Sequence, residues 1–120
     1  MPNNINAILL AAKELVPVVV IDDAKDAVPL SQAITKAGGR FIEITLRTPA
    51  AVDAIKNIKQ QNPDIIVGAG TVLSVADAQK AIDAGADFLV SPGFDKEVVL
   101  YAQKQNKLMI PGTITPSEVQ

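Results

Sequence analysis

The stretch AGGRFIEI at residues 37–44 recurs as AGADFLVS at residues 84–91, which is 47 residues further along the chain. In both copies a small, glycine-containing segment typical of a helix end precedes an aromatic and β-branched run typical of a strand. Apolar runs of this kind begin at five positions spaced 20–24 residues apart: Pro17, Phe41, Ile65, Phe88 and Leu108. The repeat therefore spans two strand–helix units.

Helical patterns fill the intervals between the predicted strands. Residues 26–37 and 50–61 carry apolar side chains at helical spacing, so each segment would bury one stripe. Thr48-Pro49 and the capping-box patterns 74–77 and 115–118 indicate helix starts. Apolar strands that alternate with helices predict a parallel sheet covered by helices, which is an α/β fold.

The repetition of units favours a (β/α)8 barrel, the TIM barrel, over a doubly wound sheet. The turn at residues 21–24 lacks the glycine-rich dinucleotide fingerprint and GAGT at 68–71 matches only a fragment of it, so no nicotinamide site is expected. A complete barrel needs at least about 200 residues. We count four strand–helix units, a fifth strand and the first turn of a fifth helix. We therefore interpret residues 1–120 as the N-terminal portion of a barrel, truncated before the sixth strand.

The composition excludes several functional classes. A net charge of −2, with one Tyr and three Phe, gives neither the basic surface nor the aromatic side chains that nucleic-acid binding uses. The sequence contains no apolar run of about 18 residues and no signal-peptide pattern in residues 1–15, so we expect a cytoplasmic protein without a membrane partner. Zero Cys and zero His exclude zinc sites, thiol nucleophiles and His-based catalysis. Chemistry would use Glu, Asp, Lys, Arg, Ser, Thr or Tyr.

The second predicted strand, residues 41–47, carries opposite charges on one face. Side chains alternate along a strand, so Glu43, Thr45 and Arg47 would share the face opposite Ile42, Ile44 and Leu46. Glu43 and Arg47 lie about 13 Å apart along the strand, too far to satisfy each other. A charged inward face would be costly as plain core, so we expect it to line a site. The alternatives are an ion pair between Glu43 and a lysine of another strand, and a surface ion pair for Arg47.

The carboxyl ends of the other strands offer further candidates. Asp22-Asp23 precedes a predicted helix, which favours a helix cap over a metal site. Gly68 and Gly70 are either turn glycines or positions where the backbone closely approaches a ligand, with Thr71 adding a hydroxyl. The residues alone leave both interpretations open.

The ordered set PVVVI, FIEITLRTP, IVGAGTVL, FLVSPGF and LMIPGTITPSE resembles the 2-dehydro-3-deoxy-6-phosphogluconate (KDPG) aldolase family, also called KDPG/KHG aldolases. The resemblance covers the chain from Val16 onward. It implies a homotrimeric (β/α)8-barrel lyase of carbohydrate metabolism that needs no metal or cofactor. Such an enzyme cleaves KDPG to pyruvate and glyceraldehyde 3-phosphate through a lysine Schiff base.

The resemblance also implies roles for four residues of this chain. Glu43 matches the general acid/base, and its apolar surroundings would raise the pKa of its carboxyl. Arg47 and Thr71 match residues that hold the carboxylate of pyruvate. Pro92 matches a proline that lines the pocket, and a plain loop proline is its alternative.

Two departures from the family pattern limit what the chain can do alone. Many relatives have an arginine where this chain has Glu14, and the Schiff-base lysine of the family belongs to the sixth strand, beyond Gln120. Lys107 would lie at the opposite end of the sheet. Seven more lysines are predicted to be solvated charges on helices or helix ends: Lys13, Lys36, Lys56, Lys59, Lys80, Lys96 and Lys104. The chain alone is therefore expected to be inactive.

Three further expectations remain open. The substrate of the complete protein could instead be 4-hydroxy-2-oxoglutarate or 2-dehydro-3-deoxy-6-phosphogalactonate. In a different class, the chain could be a non-catalytic half-barrel that assembles with itself or with a second polypeptide. An unclosed sheet would expose the inward side chains Val18, Val20 and Phe41 or their neighbours.

Overall fold

The computed structural model describes residues 15–112, which form a five-stranded parallel sheet with the strands side by side in chain order. The predicted α/β class is confirmed. A helix connects β2 to β3, β3 to β4 and β4 to β5, and a 3-10 turn (Ala24–Asp26) followed by a helix connects β1 to β2. The strands are β1 (Val18–Val19), β2 (Phe41–Thr45), β3 (Ile66–Gly70), β4 (Phe88–Ser91) and β5 (Leu108–Pro111). The helices are α1 (Ala27–Lys36), α2 (Ala51–Gln61), α3 (Val75–Ala84) and α4 (Lys96–Lys104).

One face of the sheet carries the main hydrophobic core. Ile42 and Ile44 of β2, Val67 of β3 and Leu89 of β4 point to this face and are fully buried. They pack against the apolar stripes of the helices, including Ile55, Ile58, Ala81, Val98 and Ala102. Alternation along each strand therefore sends every second side chain to the opposite face.

We call that opposite side the open face. Phe41, Ile66 and Phe88 form a small buried cluster on it, with Val90 and Leu108 packed against them. Val18 is 63% exposed and Val20 is 50% exposed, as the sequence predicts for an inward face. The prediction for Phe41 is wrong, because this ring is only 2% exposed. The aromatic ring is covered by its neighbours on β3 and β4, whereas the valines of the edge strand β1 are not.

The ends of the elements differ in part from the sequence prediction. Ser74 caps α3 by accepting a hydrogen bond from Asp77 N, and Gly38 and Gly85 adopt φ of 95° and 109° at helix ends, so these predictions are confirmed. The predicted Thr48-Pro49 start is wrong. Helix α2 begins at Ala51 without a side-chain cap, because the Thr48 hydroxyl donates to the Ile21 carbonyl instead. The capping pattern 115–118 lies outside the described residues.

Two strands and one helix are shorter than predicted. Strand β1 covers two of the five predicted residues, and β2 ends at Thr45, which leaves Leu46 and Arg47 in a turn. Helix α1 loses one residue at each end of the predicted segment 26–37. Between residues 15 and 112, no helix is both long and apolar enough to cross a membrane.

The amino end of the sheet holds a half-buried ion pair that the sequence did not predict. Lys59 Nζ of α2 lies 2.9 Å from Asp87 Oδ2, and the two side chains are 19% and 12% exposed. The ammonium also donates to the carbonyls of Pro63 and Ile65, at 3.2 and 3.0 Å. Asp87 Oδ2 accepts a further bond from Val67 N at 2.8 Å. The expectation that Lys59 is a solvated charge is therefore wrong, because the turn after α2 folds back over its side chain.

Candidate functional site

The candidate site lies at the carboxyl edge of the sheet. Arg47 follows β2, Thr71 follows β3 and Pro92 follows β4. Because all strands are parallel, these three residues lie along one edge, where barrel folds of this kind place their active sites. The structure thus brings the predicted binding residues to one side of the molecule.

Glu43 reaches this edge although it lies in the middle of β2. Its Cα is level with Val18 on β1 and Gly68 on β3. Its carboxylate lies further along, over Gly70, because an ideal Cβ placed on Gly70 would lie 2.1 Å from Glu43 Oε2. The side chain therefore leans about two residues, or 6–7 Å, toward the carboxyl edge.

The environment of Glu43 suits proton transfer. The side chain is half-buried on the open face, and burial raises the pKa of its carboxyl above the ordinary value of 4.5. Within residues 15–112, no hydrogen bond or ion pair reaches this carboxylate. The alternative of an ion pair with a lysine of another strand is therefore not found in this part of the chain. A partly buried carboxyl with a raised pKa can both hold and release a proton.

Thr71 has a strained backbone. Its φ of 59° lies in the left-handed region, which a β-branched residue rarely adopts. The backbone on either side is held in place, since Leu46 N donates to Gly70 O at 2.8 Å and Val72 N donates to Val90 O at 3.1 Å. Such strain persists where the surrounding structure imposes it, and it is frequent at ligand-binding positions. The half-buried Thr71 side chain follows directly on the glycine that Glu43 overlies.

Arg47 is exposed in the turn after β2. Two threonines anchor this turn to β1: Thr45 donates to the Val19 carbonyl at 3.4 Å, and Thr48 donates to the Ile21 carbonyl. The Arg47 guanidinium forms no ion pair with any residue from 15 to 112, so the alternative of a surface ion pair is not found there. A guanidinium fork without a partner, on an anchored turn, can receive a planar carboxylate.

Pro92 is exposed in a loop that is hydrogen-bonded to the end of β5. The Ser91 hydroxyl donates to the Gly93 carbonyl at 2.6 Å, and Gly112 N donates to the Ser91 carbonyl at 2.8 Å. An ideal Cβ on Gly112 would lie 2.2 Å from the Pro92 carbonyl oxygen, so only glycine fits there. The roles of Ser91 and Gly112 as supports of this loop were not predicted from the sequence. The sequence signals were the glycine-containing strand ends SPG (91–93) and PG (111–112), but only the fold shows that these two segments are in contact.

Of the two acidic residues after β1, Asp23 serves as a helix cap. Asp23 accepts a hydrogen bond from Lys25 N at 3.1 Å and begins the 3-10 turn, as predicted. No group of three or more His, Cys, Asp or Glu that could hold a metal ion occurs among residues 15–112.

Lys25 also lies at the carboxyl edge, in the 3-10 turn that follows β1. Its side chain is 80% exposed and its ammonium lies 3.5 Å from Asp23 Oδ2. A nucleophilic lysine is usually activated by a desolvated pocket or by a neighbouring cation. Lys25 is largely exposed and its nearest charged partner is the carboxylate of Asp23, so among residues 15–112 its surroundings do not favour a nucleophilic role.

Comparison with known proteins confirms the resemblance. The family profile described as "Aldolase: KDPG and KHG aldolase" matches residues 5–120. The 2-dehydro-3-deoxy-phosphogluconate aldolase of Treponema pallidum is 43% identical over 106 residues, which is 88% of this chain and 50% of that protein. The chain therefore spans about half the length of the curated relatives that it matches.

Solved structures agree with the sequence matches. A KDPG aldolase from Legionella pneumophila, with pyruvate captured as a covalent carbinolamine, superposes with a TM-score of 0.85 at 38% identity, covering 92% of this chain and 54% of that one. The 2-keto-3-deoxy-6-phosphogluconate aldolase of Zymomonas mobilis ZM4 with 3-phosphoglycerate gives a TM-score of 0.85 at 36% identity, covering 98% and 56%. The predicted barrel class is thereby confirmed for the part of the fold that this chain contains. The chain belongs to the KDPG and KHG aldolase family.

Proposed function

We propose that this chain supplies the proton-transfer and pyruvate-binding side of the active site of a Schiff-base aldolase. The complete protein would be a lyase that cleaves KDPG to pyruvate and glyceraldehyde 3-phosphate. The observation that carries the proposal is the Glu43 carboxylate, which is half-buried, has a raised pKa and leans toward the carboxyl edge of the sheet. Neither metal nor cofactor is part of the proposal.

Glu43 would move the protons of the lysine-dependent reaction. The lysine amine adds to the C2 carbonyl of the substrate, and loss of water from this carbinolamine leaves an iminium ion. Deprotonation of the C4 hydroxyl then breaks the C3–C4 bond, releases the aldehyde and leaves an enamine. A proton added at C3 gives an iminium ion again, a water added at C2 gives a second carbinolamine, and breakage of its C2–N bond releases pyruvate and the free lysine amine. A carboxyl with a raised pKa serves these steps because it can both give and take a proton.

Arg47 and Thr71 would hold the carboxylate of the pyruvate half. The guanidinium offers two parallel N–H donors to a planar anion, and the Thr71 hydroxyl adds a third from the neighbouring strand. Pro92 would line the same pocket from the loop after β4. The lysine nucleophile and the phosphate-binding loops are expected in the remainder of the barrel, as the family resemblance implies.

The residues described at this site do not separate the three candidate substrates. The pyruvate half is common to KDPG, 4-hydroxy-2-oxoglutarate and 2-dehydro-3-deoxy-6-phosphogalactonate, and Glu43, Arg47 and Thr71 are assigned to that half. Steady-state assays of the complete gene product with each of the three would identify the preferred substrate. KDPG should give the highest kcat/KM.

The proposal includes a cytoplasmic homotrimer. Three large apolar side chains are exposed: Leu73 before α3, Phe94 before α4 and Leu100 within α4. Leu73 and Phe94 occupy equivalent positions in adjacent strand–helix units, one residue before a helix cap. Burial of these three side chains between subunits would remove their apolar surface from water. Light scattering of the complete protein, before and after Phe94→Ser, would test the trimer.

A second candidate function is an assembly module without catalytic activity. The exposure of Val18, Val20 and Ile110 on the open face favours it, because these side chains could pack against another polypeptide. Borohydride reduction in the presence of pyruvate separates the two candidates. The complete gene product should gain a pyruvyl adduct on one lysine, detected by mass spectrometry, and residues 1–120 alone should gain none. Absence of an adduct on the complete product would support the assembly module.

A further inference from the structure

The middle strand β3 places two glycines at successive positions of the open face, Gly68 and Gly70. In each case a side chain from a neighbouring strand occupies the space that a side chain of β3 would fill. An ideal Cβ on Gly68 would lie 2.3 Å from the ring of Phe88 on β4. An ideal Cβ on Gly70 would lie 2.1 Å from Glu43 Oε2, and the three nearest heavy atoms all belong to Glu43.

Backbone conformation does not explain the glycine at position 70. Among residues 15–112 the glycines with positive φ are Gly38 and Gly85, both at helix ends. Gly70 lies in the extended ladder of β3, paired with Thr45, and any residue adopts that conformation. The turn-glycine interpretation is therefore wrong for Gly70, because this residue lies in β3, whereas close approach of a ligand stays a prediction. What approaches Gly70 is the Glu43 side chain.

The two glycine contacts would respond differently to a methyl group. Phe88 is 3% exposed and packs with Phe41 and Ile66, so its ring has no free volume into which it can move. The Glu43 carboxylate is the end of a flexible, half-buried side chain on the open face. A methyl group at Gly70 would therefore displace the carboxylate and leave the strand in place, whereas one at Gly68 would strain the buried cluster.

We propose that Gly70 is a positioning residue for Glu43: the missing side chain is the space in which the Glu43 carboxylate lies, beside Thr71 and at the carboxyl edge. The inference rests on the proposed function for its catalytic consequence, but the geometry stands without it. Without that space, the carboxylate could not lie across β3 and would rotate away from the carboxyl edge. The residue Glu43 would still be present, but its carboxylate would no longer lie where the proposed proton transfer takes place.

The test compares Gly70→Ala with Gly68→Ala in the complete gene product. Gly70→Ala should lower kcat by about 10²-fold, which is the effect of displacing a catalytic group by roughly 1 Å. Its melting temperature should stay close to that of the wild type. Gly68→Ala should lower the melting temperature, because its methyl group meets the Phe88 ring. Wild-type kcat in Gly70→Ala would overturn the proposal.

Two further measurements separate positioning from a general structural effect. The carboxyl pKa of Glu43, followed by NMR, should change in Gly70→Ala, because the displaced carboxylate leaves the surroundings that raise it. In the Glu43→Gln background, Gly70→Ala should lower kcat no further, since it acts through Glu43 alone. An unchanged pKa, or an equal loss of kcat in both backgrounds, would overturn the proposal.

Loss of stability in Gly70→Ala is also informative. If the variant melts early, Glu43→Ala combined with it should restore the melting temperature, because the three atoms nearest the added methyl belong to Glu43. Failure of that rescue would contradict the proposal. The pKa and melting measurements need no aldolase activity. Wild-type turnover in Glu43→Gln alone would therefore refute the proposed function, while the pKa and melting results would still decide the role of Gly70.

Discussion

The two ends of this sheet differ in whether a partly buried charged side chain has hydrogen-bond and ion-pair partners. At the amino end, Lys59 contacts Asp87 and two backbone carbonyls, and Asp87 also accepts a backbone N–H. At the carboxyl end, the Glu43 carboxylate has no such partner between residues 15 and 112. A charge with all its partners in place strengthens a fold, whereas a desolvated carboxyl without them keeps its proton affinity high. The contrast supports the proposal that chemistry takes place at the carboxyl end, while the ion pair at the amino end serves the fold.

Glu43→Gln should give the largest effect on activity in the complete protein. The amide keeps the size of the side chain but cannot transfer protons, so kcat should fall by about 10²–10⁴-fold. Steady-state release of pyruvate measures it. Asp64→Asn, which neutralises an exposed carboxylate in the turn after α2, is the control and should retain wild-type turnover. Wild-type turnover in Glu43→Gln would refute the proton-transfer role.

Lys59→Met should give the largest effect on stability. Removing the ammonium deletes the contact that Lys59 Nζ makes with Asp87 Oδ2 at 2.9 Å, and loss of one partner of a mostly buried ion pair should lower the unfolding free energy by about 3 kcal/mol. Urea denaturation measures this free energy. Lys56→Met on the exposed side of the same helix should change it by less than about 0.5 kcal/mol. Equal stability of the two variants would show that the amino end gains nothing from its ion pair.

Arg47→Lys should weaken pyruvate binding by about tenfold, because a lysine ammonium cannot replace the two parallel N–H donors of a guanidinium. The KM for the keto acid should rise more than kcat falls. Arg40→Lys makes the same substitution at the opposite end of β2, where Arg40 lies 6.0 Å from the Phe41 ring centroid, and should leave KM unchanged. A similar rise in both variants would argue against a carboxylate site at Arg47.

The smallest effect concerns the pH dependence of stability. Burial raises the pKa of Glu43 in the folded state above the ordinary 4.5, so between these two values the folded protein binds more protons than the unfolded chain. Stability is therefore lost as the pH rises through this window, and it stays at the lower level above it. Glu43→Gln removes that loss. Its melting temperature relative to the wild type should increase from pH 4 to pH 7, and a constant difference would contradict the burial of Glu43.

Prediction from the sequence succeeded where a local pattern carries the information. The five strands, the four helices and the cap at Ser74 follow from periodicity and side-chain chemistry, and they are found near the expected positions. The Thr48 cap failed because its hydroxyl bonds to a carbonyl 27 residues away in the chain, which no local pattern records. The same holds for Lys59, whose partner Asp87 lies 28 residues away.

The candidate site divides in the same way. Glu43, Arg47, Thr71 and Pro92 were identified by their place at or near strand ends and by family resemblance, and their roles stay predictions. The strain at Thr71, the loop support from Gly112 and the space at Gly70 were not visible in the sequence. Each depends on how closely two strands or loops approach, and the sequence specifies that distance only through the complete fold.

The amino-acid sequence by itself determined the α/β class, the order of strands and helices and the family, because alternation, helical spacing and ordered motifs are local properties. Within residues 15–112, tertiary structure alone decided that the Lys59 ammonium has hydrogen-bond partners and that the Glu43 carboxylate has none. Lys59 and Glu43 are both charges beside apolar neighbours in the sequence, but the turn after α2 closes over one, and β3 offers the other only the bare backbone of Gly70. Desolvation and pairing depend on neighbours distant in the chain, and only the folded sheet brings them together.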